Sequence, residues 1–125
     1  MDPQQRLKYR MMAQVLAAAG HETRLAILDF LAGGEQCVCD IAAYVGAERS
    51  NVSRHLAMML HAGLVAHRKD GLKMMYTLRT PCILNIMPCV VNVVRRQADQ
   101  AGAVLECLNR PVGRGAPGHR EEAVA

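Results

Sequence analysis

The chain has 125 residues, with 15 Lys and Arg against 11 Asp and Glu and a formal net charge of +4 at pH 7. That length supplies one hydrophobic core and not two, and the positive balance suits a polyanionic partner. Three Tyr, one Phe and no Trp argue against a single-strand platform built on base stacking, and no run approaches the ~20 apolar residues of a membrane span.

Arg6, Lys8 and Arg10, followed by the apolar run Met11 to Gly20, imitate a signal peptide. Gln14 interrupts that run and no good cleavage site follows it. The segment reads instead as a first helix, with Met12, Leu16 and Ala19 packing inward. The protein is therefore expected in the cytoplasm, with its five cysteines reduced at rest.

Further along, Asp40 to Val45 reads as a short helix with Val38, Ile41, Ala42 and Val45 on one face, ended by Gly46 at C′. A three-residue turn leads to Ser50 as N-cap of a second helix, whose buried stripe is Val52, Leu56, Met59 and Leu60. Asn51, Ser53, Arg54, His55 and Met58 are left on its other faces. Arg contacts guanine edges or phosphate, Asn reads adenine, and Ser or His serves either, so with Ser50 this set suits a recognition helix in a major groove.

Leu64 to Leu78 alternates around Asp70-Gly71, the dipeptide that best supports a type I′ hairpin turn. Leu72, Met74, Tyr76 and Leu78 fall on one face. Arg68, Lys69 and Lys73 sit near the tip, where their cations would hold phosphate and give affinity rather than sequence choice. A basic hairpin beside a helix-turn-helix is a wing, so the expected fold is mainly α with a β-hairpin wing.

Thr80-Pro81 opens a helical turn, and Pro88 lacks the N–H that would bond Leu84. A kink, or a second helix starting near Pro88, is expected there. Beyond it Val90, Val94, Ala98, Ala101, Leu105 and Leu108 form a narrow seam suited to a dimer contact. Residues 1–109 are read as one DNA-binding and dimerisation domain, and the Gly-, Pro- and charge-rich residues 110–125 as a disordered tail.

Four blocks occur in register: His21-Glu22-Thr23-Arg24-Leu25-Ala26-Ile27-Leu28, Cys37-Val38-Cys39-Asp40-Ile41, Asn51-Val52-Ser53-Arg54-His55-Leu56 and Ala62-Gly63-Leu64-Val65. Together they resemble the ArsR/SmtB family of bacterial metalloregulatory repressors, over roughly Gln14 to Leu78. The resemblance implies a homodimeric winged helix-turn-helix on palindromic double-stranded operator DNA, released when an ion or oxidant reaches its cysteines.

Side chains at i and i+2 of a regular helix point to nearly opposite sides, so Cys37 and Cys39 share one ion only where the backbone is not yet helical or unwinds. A first helical turn is where that costs least, and its dipole and free N–H groups favour a thiolate. Because this turn opens the first helix of the reader, drawing the sulfurs together would shift its packing against the recognition helix.

In the family's arsenic-responsive branch a third cysteine follows in the sequence Cys-Val-Cys-Asp-Leu-Cys; here that position is Ala42. A trigonal As(III) or Sb(III) site built on Cys37 and Cys39 therefore needs its third thiolate from Cys82, Cys89 or Cys107. On a continuous helix Cys82 and Cys89, seven apart, would share a face. The zinc site of other members is not expected, because Thr80, Val93 and Arg96 stand near the places of its ligands. The plain alternative for each cysteine is a small buried apolar residue.

The leading expectation is a repressor released by As(III) or Sb(III) on Cys37, Cys39 and one of Cys82 or Cys89, with no organic cofactor. A persulfide or thiol-redox sensor and a Cd or Pb sensor share the fold. A thiol oxidoreductase is disfavoured by Cys-x-Cys spacing without a βαβ pattern. A metal buffer would have no use for the recognition face or the basic wing.

Overall fold

A computed structural model of the protein describes residues 1–101; Leu105, Cys107, Leu108 and the tail at 110–125 lie outside them. Helix α1 (Pro3–Ala19) opens on a capping box, Asp2 accepting from the Gln5 amide at 2.8 Å, with Pro3 at its start. Helix α2 (Glu22–Leu31) is capped by His21, whose Nδ1 accepts from the Thr23 amide at 3.0 Å.

A two-residue strand β1 (Gln36–Cys37), which the hydrophobic pattern is too short to reveal, leads straight into helix α3 (Val38–Val45). The helix therefore begins two residues before the expected Asp40, and Cys37 is its N-cap, with extended backbone and no side-chain cap bond. Gly46 ends it at φ 70° and its N–H bonds the Ala42 carbonyl, as a C′ glycine should.

Helix α4 (Arg49–Ala62) also starts early: Glu48, not Ser50, is the N-cap, and it makes no side-chain cap bond. Of the expected stripe, Val52, Leu56 and Met59 are fully buried, whereas Leu60 is only half-buried. Strands β2 (Val65–Asp70) and β3 (Lys73–Leu78) make the hairpin, with Asp70 paired to Lys73, so the central turn residues are Gly71 and Leu72 rather than Asp70 and Gly71. Glycine at the first central position with φ 63°, followed by a residue without positive φ, is the type II′ pattern and not I′. Leu72, expected on the inner face, is consequently a fully exposed tip residue.

The three strands form one antiparallel sheet in the order β1-β3-β2. Cys37 lies opposite Met75, and Met75 opposite Arg68, so these three form one row across the sheet. Val65, Met74, Tyr76 and Leu78 join the core on the other face. That core is closed by Ile27 and Leu28 of α2, Ile41 of α3, Val52, Leu56 and Met59 of α4, and Leu64 and Val65. Each such aliphatic side chain contributes about 1.5–3 kcal/mol by leaving water. Phe30 stacks on Tyr44 with ring centroids 4.5 Å apart, joining α2 to α3.

After the hairpin comes a 3-10 segment (Pro81–Ile86) and then helix α5 (Met87–Ala101), with Pro88 in its first turn. The break expected at Pro88 is present, and it removes the single helical face on which Cys82 and Cys89 were to lie. On α1, Ala19 is buried as expected, together with Ala18, whereas Met12 and Leu16 are about half exposed, at 50% and 52%. Along the α5 seam Ala98 is buried, but Val90 and Val94 face outward with Val93.

Candidate nucleic-acid interface and thiol pair

Helix α4 exposes Ser50, Ser53 and Arg54, and leaves Asn51 half-buried. His55 is withdrawn from this reading face. Its Nδ1 lies 3.1 Å from Nη1 of Arg24, and its ring centroid 4.6 Å from that of His21. Arginine can only donate, so His55 Nδ1 is the acceptor.

Arg24 is itself buried and directs Nε to the Ala18 carbonyl at 2.6 Å, Nη2 to the Ala17 carbonyl at 3.4 Å and Nη1 to Met58 Sδ at 3.4 Å. One guanidinium thus joins the end of α1 to α2 and to the recognition helix. Loss of solvation, then the charges of His21, Arg24 and Arg54, hold the His55 imidazole below its ordinary value of 6.5.

On the wing, Lys69 and Lys73 are exposed and near the tip. Arg68 differs. Its Nε donates to Glu35 Oε2 at 2.8 Å and its Nη2 to Glu35 Oε1 at 2.6 Å, with an Asp70 oxygen 3.9 Å from Nη2. The bidentate hydrogen bond from Arg68 holds the Glu35 carboxyl below its usual range, and the same bond raises the Arg68 guanidinium.

The buried Cys37 and the exposed Cys39 border one cavity of about 360 Å³ together with Arg49 and Ser53 of α4 and Lys73 and Met74 of the wing. The thiol pair therefore opens into the cleft between the recognition helix and the wing tip. Arg49 is missed by the sequence reading because Ser50 as N-cap starts α4 two residues too late; a basic residue beside Ser50 was the available signal. Cys82, in the 3-10 segment, and Cys89, in the first turn of α5, are both exposed and border no part of this cavity. Among the described residues of one chain, no three of His, Cys, Asp and Glu come together to hold an ion. Among the same residues, no helix is long and apolar enough to cross a membrane.

A helix-turn-helix with an outward polar helix, flanked by a basic antiparallel wing, defines a DNA-binding transcriptional regulator and not an enzyme. Residues 21–67 match the family described as bacterial regulatory protein, arsR family. An HTH-type transcriptional regulator of Mycobacterium tuberculosis, Rv0081, is 33% identical over 80% of this chain and 89% of its own. Its crystal structure superposes with a TM-score of 0.64, covering 82% of this chain and all of that one. The protein belongs to the ArsR family and is a winged helix-turn-helix transcriptional repressor.

Other relatives carry more specific names. A probable mercury resistance operon repressor of Streptomyces lividans is 30% identical over 82% of this chain and 79% of its own. An arsenical resistance operon repressor of Staphylococcus aureus is 33% identical over 58% of this chain and 69% of its own. The solution structure of a homodimeric winged helix-turn-helix domain from Mycobacterium bovis, 26% identical, covers 80% of this chain and 93% of that one with a TM-score of 0.67.

Proposed function

We propose that the protein is a cytoplasmic homodimer that represses from double-stranded operator DNA and releases it when As(III) or Sb(III) bonds to Cys37 and Cys39. The observation that carries this reading is the shared cavity: both thiols border the same cleft as Arg49, Ser53 and Lys73. A ligand on the sulfurs alters the first turn of α3 and also occupies space where a DNA phosphate would meet those side chains. Release then needs no long-range path. Arsenical repressors among the relatives support the metalloid, and the homodimeric mycobacterial domain supports the dimer.

Each As–S bond forms as a thiolate displaces hydroxide from As(OH)₃, the thiol proton leaving with that hydroxide as water. Two such exchanges occupy Cys37 and Cys39. Cys82 or Cys89 supplies the third thiolate across the dimer, since neither borders the pair's cavity within one chain. A second reading is favoured by the same separation: a sulfur bridge, or linear Hg(II), needs only the two thiols that share the cavity.

The test is fluorescence anisotropy of reduced protein on its own upstream DNA, titrated with arsenite, mercuric ion, cadmium and a polysulfide in turn. Arsenite is expected to release the protein, and Cys37→Ser with Cys39→Ser to abolish release while leaving DNA affinity intact. Release of the double variant by arsenite would sink the site assignment. Release of the parent by polysulfide or mercuric ion, but not by arsenite, would replace the metalloid with the two-thiol ligand.

A further inference from the structure

We infer that Glu35 is an intramolecular competitor of DNA phosphate for Arg68, so that one of the wing's three cations is masked until DNA arrives. Both bonded arms of the guanidinium fork are taken, Nε by Oε2 at 2.8 Å and Nη2 by Oε1 at 2.6 Å. Phosphate is recognised by that same fork geometry. The side-on Nε/Nη2 fork is therefore closed to a DNA backbone unless Glu35 gives way, and the Nη1 edge that remains carries a charge that Glu35 already neutralises.

The arrangement is built by the sheet. Glu35 directly precedes β1, two residues before Cys37, and Cys37, Met75 and Arg68 stand in one row across β1, β3 and β2. Glu35 reaches along that face to a residue 33 positions away in the chain. The Glu35 side chain is about half as exposed as its partner, 29% against 56%, so the carboxylate is the better-held member of the pair. Asp70, 3.9 Å from the same guanidinium, adds a second carboxylate. Among the described residues Lys69 and Lys73 show no such carboxylate partner, and they carry the wing's standing attraction for DNA.

Formation of the complex then exchanges one anion for another on Arg68. The exchanged contact releases no counterion beyond what Glu35 had already excluded, and Glu35 and Asp70 are left facing a polyanion. The inference rests on DNA binding alone and not on which effector reaches the cysteines.

It is tested by measuring affinity for a mixed-sequence DNA duplex against salt, because the electrostatic contribution is independent of sequence. Glu35→Gln is expected to bind more tightly than the parent and to steepen the slope of log K against log salt by about 0.9, the release from one phosphate contact that no longer sets a carboxylate free. Its advantage over the parent should then grow about 3.5-fold when salt falls from roughly 0.2 M to roughly 0.05 M. Arg68→Gln should weaken binding little in the parent and substantially in the Glu35→Gln background. Thermal melting of each variant identifies any loss of fold, and the Arg68→Gln comparison stands even if one Glu35 variant melts early. Weaker or unchanged binding by Glu35→Gln, or an equal loss from Arg68→Gln in both backgrounds, would overturn the inference: Glu35 would then orient Arg68 or be indifferent to DNA.

Discussion

Arg24 and His55 show how one polar contact withdraws a side chain from a reading face. By position His55 belongs with Asn51 and Arg54 on the outer side of α4. The acceptor it offers to a buried guanidinium turns it inward instead. Sequence alone does not reveal this, because the partner lies 31 residues away. The contact makes stability depend on pH. Since the folded chain holds His55 below its ordinary value, the unfolded chain takes up its proton first as pH falls through about 6.5. Proton uptake therefore favours unfolding, and the contribution is present above that range and lost below it. Urea midpoints are expected to fall between pH 7.5 and 5.5, with a shallower fall for His55→Gln; equal slopes would remove His55 from the cause.

At the scale of elements, the helix-turn-helix and wing were legible because their signals are local: Gly46 at a C′ position, the Val52, Leu56 and Met59 spacing, and a basic alternating hairpin. What was missed depends on pairing. Strand β1 exists only because Gln36 and Cys37 meet Tyr76 and Met75. The turn shifted by one residue because the register of β2 on β3, and not the Asp-Gly dipeptide, fixes which two residues are central. Met12 and Leu16 of α1, and Val90, Val93 and Val94 of α5, have apolar spacing but stay exposed among the described residues of one chain. Their exposure fits a second copy, in keeping with the homodimeric winged helix-turn-helix domain that the chain resembles. Val94→Glu combined with Leu16→Glu is expected to yield monomers in sedimentation velocity and to lose most operator affinity. A variant that stays dimeric would place the interface elsewhere.

For the molecule as a whole, two kinds of DNA contact should separate cleanly. On the proposed reading, Arg54, exposed on α4, reads a base and Lys73, beside the wing tip, holds phosphate. Arg54→Ala is expected to cost about 1–3 kcal/mol on operator DNA and little on mixed-sequence DNA. Lys73→Ala should weaken both alike and reduce the salt slope by about one unit. Equal losses from Arg54→Ala on the two DNAs would assign it to phosphate as well. The thiol pair was legible in the sequence, whereas its place between α4 and the wing tip was not, because that depends on how α3, α4 and the wing converge.

That convergence leaves the two sulfurs unequal: Cys39 stands in solvent, while Cys37 is only 4% exposed, held between a strand and the start of a helix. On the proposed reading, a thiophile arriving from solution meets Cys39 first and is tethered there by one bond. The second bond must wait for the α3 turn to loosen around Cys37. The speed of the response is then set by how often that turn opens, and not by how often the ligand collides. A reagent able to form only one bond would stop at Cys39 without disturbing the α3 turn, so the fold itself separates a ligand that can bridge from one that can merely attach.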